Sequence, residues 1–223
     1  MEPEPGNGLQ IRWRVLAGGL MRRRWMIVPL VAVAAALAVT ALGGAADMNG
    51  TDGADKIQGG DDADKIEGRR GDDVLEGRGG DDAINGNGDS DTIDGGPGDD
   101  TIHGAGCDVR ELGYMCDNPG EDTLRGGDGN DSILVNDCVR SFCAEKQYIG
   151  LDSVLEGGAG NDLLMAADAN DRLRGGDGND RASGLLGDDE LLGGPGNDAL
   201  NGGPDNDTCD QGPGTGPVVN CES

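Results

Sequence analysis

Beyond residue 49 the apolar positions are sparse and regular. One small apolar residue, usually Ile or Leu, recurs every nine residues, with Asp two places before it and glycines before that. In the unit at 95–103, glycine holds places one, two and four, Asp100 the sixth and Ile102 the eighth. Units begin in unbroken phase at Gly50, Gly59, Gly68, Gly77, Gly86 and Gly95, once more at Gly126, and again at Gly157, Ala166, Gly175, Gly184, Gly193 and Gly202. The eighth place reads Ile57, Ile66, Leu75, Ile84, Ile93, Ile102, Ile133, Leu164, Leu173, Ala182, Leu191, Leu200 and Cys209. Clustered glycines predict a tight turn, and the residues around the apolar place predict a very short strand. A nonapeptide is too short to fold alone, so each unit is one rung of a stacked array.

The sixth place is invariant: Asp55, Asp64, Asp73, Asp82, Asp91, Asp100, Asp131, Asp162, Asp171, Asp180, Asp189, Asp198 and Asp207. A half-unit at 120–125 keeps Asp122 without the opening glycines. This pattern resembles the GGxGxDxUx nonapeptide of the repeats-in-toxin (RTX) calcium-binding family. The resemblance implies an all-β fold, a parallel β-roll that is a right-handed β-solenoid, in which two units complete a coil. It also implies several calcium ions (Ca2+) between stacked turns. The thirteen sixth-place Asp residues and Asp122 would be the side-chain ligands, with turn carbonyls supplying the rest.

Charge arithmetic supports a cation. If units stack on the next but one, Asp55, Asp73 and Asp91 form one file and Asp64, Asp82 and Asp100 another. In the second run Asp162, Asp180 and Asp198 form one file, and Asp171, Asp189 and Asp207 the other. At a strand spacing of about 4.8 Å, neighbouring carboxylates repel by about 0.9 kcal/mol in water and about 3.5 kcal/mol at an effective dielectric of 20. A divalent cation between the turns reverses that sign. One aliphatic side chain per nine residues is also a thin core against the backbone entropy it must offset. Folding and cation binding are therefore expected to be one event. All-oxygen ligands on flexible turns suit calcium better than magnesium, and a single His disfavours zinc or copper.

The formal charge of −26 excludes nucleic acid and anionic membrane surfaces as partners. With 44 Gly and 2% aromatic residues such a chain would ordinarily read as disordered, and the repeat overrides that reading only with cation present. Residues 25–42 are apolar, preceded by Arg22, Arg23 and Arg24 and followed by small residues through Ala46. Residues 1–46 therefore read as an N-terminal signal peptide region with a signal helix, started at Met21 and cleaved after Ala46. The alternative is an uncleaved membrane anchor, since the apolar run is at the lower edge of spanning length. Secretion to the extracellular space is the expectation, with no membrane association after cleavage.

All six Cys fall in the exported part, where disulfides are the default. Proximity suggests Cys107 with Cys116, Cys138 with Cys143 and Cys209 with Cys221, among 15 possible pairings. No CxxC spacing supports a zinc site. The organisation expected is a first roll at 47–134 carrying the Cys107/Cys116 loop, a Cys138/Cys143 insertion at 135–156, a second roll at 157–210 and a cap at 211–223. The interruptions at 104–118 and 135–156 hold Arg110, Tyr114, Arg140, Phe142 and Tyr148. They are either plain disulfide-tied loops or a surface for an unidentified partner, since aromatic and Arg residues favour interface cores.

No catalytic constellation is visible, and the chain reads as a non-enzyme. His103 is a ninth-place residue, Ser90 belongs to the repeat, and no nucleophile has an activating base. No phosphate loop or EF-hand pattern appears. The reading is a secreted calcium-ion-binding roll whose folding is coupled to calcium. The alternative is a calcium-stiffened adhesion or partner-binding module using the inserted loops. An accessory module of a hydrolase is the weakest option, because no segment is long enough for a catalytic domain.

Overall fold

The computed structural model describes residues 12–13, 38–40, 44–105, 107–108, 115–116, 121–136 and 152–222. Among these residues the chain is all-β, with no helix. Ten strands make one sheet and nine another, and a separate two-stranded pair is formed by Cys107–Asp108 and Met115–Cys116. The chain alternates between the two large sheets. Lys65–Arg70, Ala83–Gly88, Thr101–Ala105, Ser132–Asn136 and Leu163–Met165 are successive neighbours in sheet one. Val74–Glu76, Thr92–Pro97, Thr123–Asp128, Val154–Ala159 and Arg172–Asp177 are successive neighbours in sheet two. These neighbours are parallel. Two units thus make one coil, as expected.

The register aligns like places of the repeat. In sheet two Ile57 faces Leu75, then Ile93, Leu124, Leu155, Leu173 and Leu191 in turn. Period-two alternation points the eighth-place residue inward and the seventh and ninth outward. All the eighth-place side chains from Ile57 to Leu200 are buried in one continuous core, including the thin spot at Ala182. Places two and four of most turns take positive φ, as at Gly96 (105°) and Gly98 (142°), but those of the units beginning at Gly50, Gly59 and Ala166 do not. Non-glycine residues at these places, such as Arg78 (84°), Leu185 (80°) and Asp205 (92°), adopt the same conformation at a steric cost.

The expectation of two rolls separated by an insertion is corrected: sheet pairing runs through both interruptions. Thr92–Pro97 pairs with Thr123–Asp128, which pairs with Val154–Ala159. Each coil-to-coil step, normally eighteen residues, becomes thirty-one here, as at Asp91 to Asp122 and Asp131 to Asp162. The extra residues fall between a strand of sheet one and the next strand of sheet two. One insertion lies between Gly104, a first-place residue, and Asp122, the matching sixth. The other lies between Val135, in register with Gly104, and Ser153. The expected 135–156 insertion is correspondingly shorter, because its ends belong to strands Ser132–Asn136 and Val154–Ala159. The nonapeptide signature fails there because Val and Ser replace Gly and Asp.

The N-terminal boundary also differs. Ala46–Asn49 pairs with Lys65–Arg70, so the expected cleavage point after Ala46 falls inside a strand, with Met48 buried at an eighth place. Of the apolar segment expected as a signal helix, Ala38–Thr40 is a strand paired with Lys56–Gln58. Residues 14–37 lie outside the described residues, as do Met21, Cys138, Cys143 and the aromatic residues Tyr114, Phe142 and Tyr148. Backbone register sets Cys107 opposite Cys116. At the C-terminal end Cys209 and Cys221 form a disulfide, and Val218–Val219 adds a last strand beside Ala199–Asn201.

Candidate metal centre

The sixth-place Asp residues stand where each turn enters a strand, and all fourteen expected carboxylates are buried. They form two files, one on each edge of the roll. From Asp64 onward each Asp turns Oδ1 toward the preceding coil and accepts the N–H of the residue at the matching place there, in most cases another Asp. Asp73 accepts from Asp55 at 2.8 Å, Asp82 from Asp64 at 2.7 Å, and Asp100 from Asp82 at 2.8 Å. The pairing continues across the interruptions, with Asp122 accepting from Asp91 at 2.9 Å and Asp131 from Asp100 at 2.8 Å. The expected eighteen-residue files are therefore present, but they are joined through the middle of the molecule.

The second oxygen is the informative one. Oδ2 of Asp73, Asp82, Asp91, Asp100, Asp122, Asp131, Asp162, Asp180, Asp189, Asp198 and Asp207 is buried without a hydrogen-bond partner. Leaving a buried carboxylate oxygen unsatisfied is costly. Each such oxygen faces the first-place residue of its own turn, normally glycine. A side chain at Gly77 would collide with Asp82 Oδ2 and come within 2.6 Å of the Gly95 carbonyl oxygen of the next coil. The same pair of oxygens, Asp180 Oδ2 and Gly193 O, surrounds Gly175, with the carbonyl at 2.7 Å. First-place glycine is thus required by space, because a carboxylate and a carbonyl converge there.

Electrostatics agree. Burial pushes Asp91 up to about 8, and Asp73 and Asp122 to about 7, despite the lowering effect of the N–H bonds they accept. Burial likewise raises Asp82, Asp100, Asp131, Asp162, Asp180 and Asp189 to about 6. Asp171 and Asp207 are raised by the same cause. Neighbouring Asp charges along the file add to most of these shifts. The cradles hold oxygen donors, and among the described residues no ion pair to these carboxylates is found, so the donor set fits a hard cation. Among the described residues no three His, Cys, Asp or Glu side chains converge to hold an ion unaided. Carbonyls of the glycine turn would have to complete any coordination shell.

Three carboxylates differ. Asp55 Oδ2 accepts from the Thr51 hydroxyl at 2.9 Å and its N–H at 2.5 Å, Asp64 Oδ2 from Gly60 N–H at 2.6 Å, and Asp171 Oδ2 from Ala167 N–H at 3.2 Å. Asp171 and Asp189 lie on consecutive coils whose units both depart from the glycine pattern, with Ala at 166, 167 and 169 and Leu at 185 and 186. The structure separates them, since Asp189 Oδ2 keeps no partner.

Three members of the files were missed. Ser153 takes a sixth place, accepting from Asp122 N–H at 3.3 Å and donating its own N–H to Asp171 Oδ1 at 2.7 Å. Leu155 two residues on, eighteen before Leu173, was the signal for it. Ala46 donates its N–H to Asp64 Oδ1 at 2.7 Å, signalled by Met48 nine residues before Ile57. Glu222 accepts Asp207 N–H at 2.5 Å and ends one file, and no repeat signal marks it.

The fifth place forms a parallel ladder outside the carboxylates. Asn130, Asn161, Asn179 and Asn197 each accept the N–H of the fifth-place residue of the following coil at 2.9–3.1 Å. Ser90 belongs to such a ladder, with its N–H on Asp72 and its hydroxyl accepting Glu121 N–H. The fourth-place Asp residues that replace glycine also bind backbone: Asp62 accepts from Gly44 and Asp89 from Gly71.

The model of the RTX calcium-binding nonapeptide repeat (4 copies) matches residues 41–75, 49–84, 76–106, 117–137, 151–182 and 174–209, more than half of the chain. No curated protein matches the chain. The matched segments leave out 107–116 and 138–150, inside the two interruptions, and start before Ala46, where the strand pairing also begins earlier than expected.

Proposed function

The chain belongs to the RTX calcium-binding nonapeptide-repeat family, and from that premise we propose that it is a secreted calcium-ion-binding β-roll whose folding is coupled to calcium. The observation that carries this reading is the series of buried Asp Oδ2 atoms without partners, each beside a first-place glycine and a carbonyl of the next coil. Asp73, Asp82, Asp91, Asp100, Asp122, Asp131, Asp162, Asp180, Asp189, Asp198 and Asp207 would be the ligands, with Asp55 and Asp64 reorienting from their present hydrogen bonds, whereas Asp171 keeps its bond to Ala167 N–H beside the Ala166 side chain. Calcium, when bound, supplies the positive charge that offsets carboxylate burial and mutual repulsion. The Asp N–H to Oδ1 bonds hold each carboxylate in line, and the fifth-place Asn ladder keeps consecutive turns in register.

The family is one of calcium-binding repeats and not a catalytic one, which supports a binding role. No helix among the described residues is long and apolar enough to cross a membrane. Secretion follows in this reading from the signal-like residues 1–46 and from millimolar extracellular calcium. The test is far-UV circular dichroism of the chain titrated with calcium against magnesium. Strand signal should develop with calcium, and a strand signal already complete in metal-free buffer would overturn the coupling.

One observation favours a second reading, a partner-binding module. Both insertions follow neighbouring strands of sheet one, and the residues that precede them, Ala105 and Asn136, are paired in register although thirty-one residues apart. Replacing both with short Gly-Asn turns should leave calcium binding intact and remove any adhesion to a cell surface. Adhesion that survives the replacement would eliminate this reading.

A further inference from the structure

The two edges are unequal at two consecutive coils. On the insertion-bearing edge the first places Gly86, Gly104, Val135, Ala166 and Gly184 stack in register in sheet one. Where glycine stands, a carboxylate Oδ2 without a partner points at it, as Asp91 does at Gly86 and Asp122 at Gly104. Val135 and Ala166 instead carry side chains, both buried and both part of the hydrophobic core. Their sixth-place partners change with them. Opposite Val135 stands Ser153, which has no carboxylate. Opposite Ala166 stands Asp171, whose Oδ2 is held by Ala167 N–H.

On the other edge the first places from Gly59 to Gly193 are all glycine, and only at its N-terminal end is an Oδ2 held, that of Asp64 by Gly60 N–H. Asp82, Asp100, Asp131, Asp162, Asp180 and Asp198 each keep an Oδ2 without a partner.

We propose, resting on the reading of these carboxylates as calcium ligands, that the cation row on the insertion-bearing edge is cut between Asp122 and Asp189, with the side chains of Val135 and Ala166 filling the cradles that glycine leaves to an ion elsewhere. The opposite row runs unbroken from Asp82 to Asp198. A valine side chain offers no lone pair and excludes water, so the Val135–Ser153 rung is held by apolar packing where its neighbours are held by charge. The exchange is paired: Val for Gly removes the space, and Ser for Asp removes the charge that needed it. The second insertion opens within this rung, so its base is anchored to the core and does not depend on an ion.

Native mass spectrometry of the calcium-loaded full chain counts ions singly and tests this. Val135→Gly combined with Ser153→Asp should gain one ion over the wild type. Ser153→Ala should leave the count unchanged, whereas Asp131→Ser on the unbroken edge should lose at least one. If the double variant fails to fold, the two single variants decide alone, and equal ion losses in both overturn the cut row. A folded double variant with the wild-type count overturns it too. A wild-type chain that binds no calcium removes the calcium reading itself, and the inference with it.

Discussion

The two edges of the roll carry the same turn, the same strand register and the same Asp ladder, yet one is nearly uniform and the other irregular. On the uniform edge, Asp82 through Asp198 repeat one geometry six times. On the other, the file passes through Ser153, tolerates two insertions and ends on Glu222. What survives on both edges, up to Asp180 on one and Asp207 on the other, is the hydrogen bond from the sixth-place N–H to the next coil, whether the acceptor is Asp, Ser or Glu. The ladder is therefore the structural minimum of the turn. The carboxylate with its glycine cradle is an addition to it, kept where the proposed cation would be held.

The largest expected effect concerns both edges together. Burial raises the carboxyl groups of the files above the ordinary carboxylate range, to between about 6 and about 8 at Asp82, Asp73 and Asp91. A raised folded-state value means the folded chain binds protons more tightly than the unfolded one. Metal-free stability is then fullest below the unfolded value of 3.8 and is lost as pH rises through 6 to 8. Calcium-stripped protein should show little strand signal at pH 8 and recover much of it on acidification to pH 4.5. Circular dichroism that stays flat between these values would show that the carboxylates do not limit folding.

Much of this was legible in the sequence. The eighteen-residue stacking, the inward eighth place and the buried sixth place all follow from a period that no other residue pattern interrupts. The joining of the two runs was not legible, because the register is restored only by counting thirteen extra residues between two strands, and such a connection has no hydrophobic signal of its own. Ala46 and Ser153 escaped notice for one reason: the chosen marker was Asp, whereas Met48 and Leu155 show that the apolar place persists after the carboxylate is lost. The unequal oxygens of Asp171 and Asp189 could not be read at all, since they depend on which N–H of the turn lies within reach.

The cap sits on the irregular edge and offers the next effect. The Cys209–Cys221 disulfide closes a loop of twelve residues behind the last carboxylate, Asp207. Its replacement by two Ser residues should cost roughly 2–4 kcal/mol, measured by denaturant unfolding in saturating calcium. The loss should concentrate in the final coil, where Val218 and Val219 are already exposed. Unchanged stability would mean that Glu222 and strand pairing hold the end unaided.

The cradle can be broken on one edge and restored on the other. Gly95→Ala places a methyl group against Asp100 Oδ2 and 2.8 Å from the Gly126 carbonyl oxygen. It should destabilise the calcium-loaded roll by about 1–3 kcal/mol and weaken calcium binding. Ala166→Gly on the irregular edge removes such a methyl group and gives up its buried contact, so its stability change should be smaller in calcium than in metal-free buffer at acid pH. If both substitutions weaken calcium binding equally, the first place does not discriminate between edges.

The smallest effect expected is on the outer face of sheet two, where Glu156 lies between Arg125 at 2.7 Å and Arg174 at 3.4 Å. This triad bridges three consecutive coils across the rung where the cation row is proposed to be cut, so a surface ion pair there has a structural task to take over. Both Arg side chains are more than half exposed, and solvent screening holds such pairs to roughly 0–1 kcal/mol. Glu156→Gln should therefore lower the unfolding midpoint only slightly in dilute buffer, and the difference should vanish in 1 M salt as screening shortens to about 3 Å. A loss that persists in high salt would mean that Glu156 acts through packing on Val154 and its neighbours, and that the cut rung relies on sheet contacts alone.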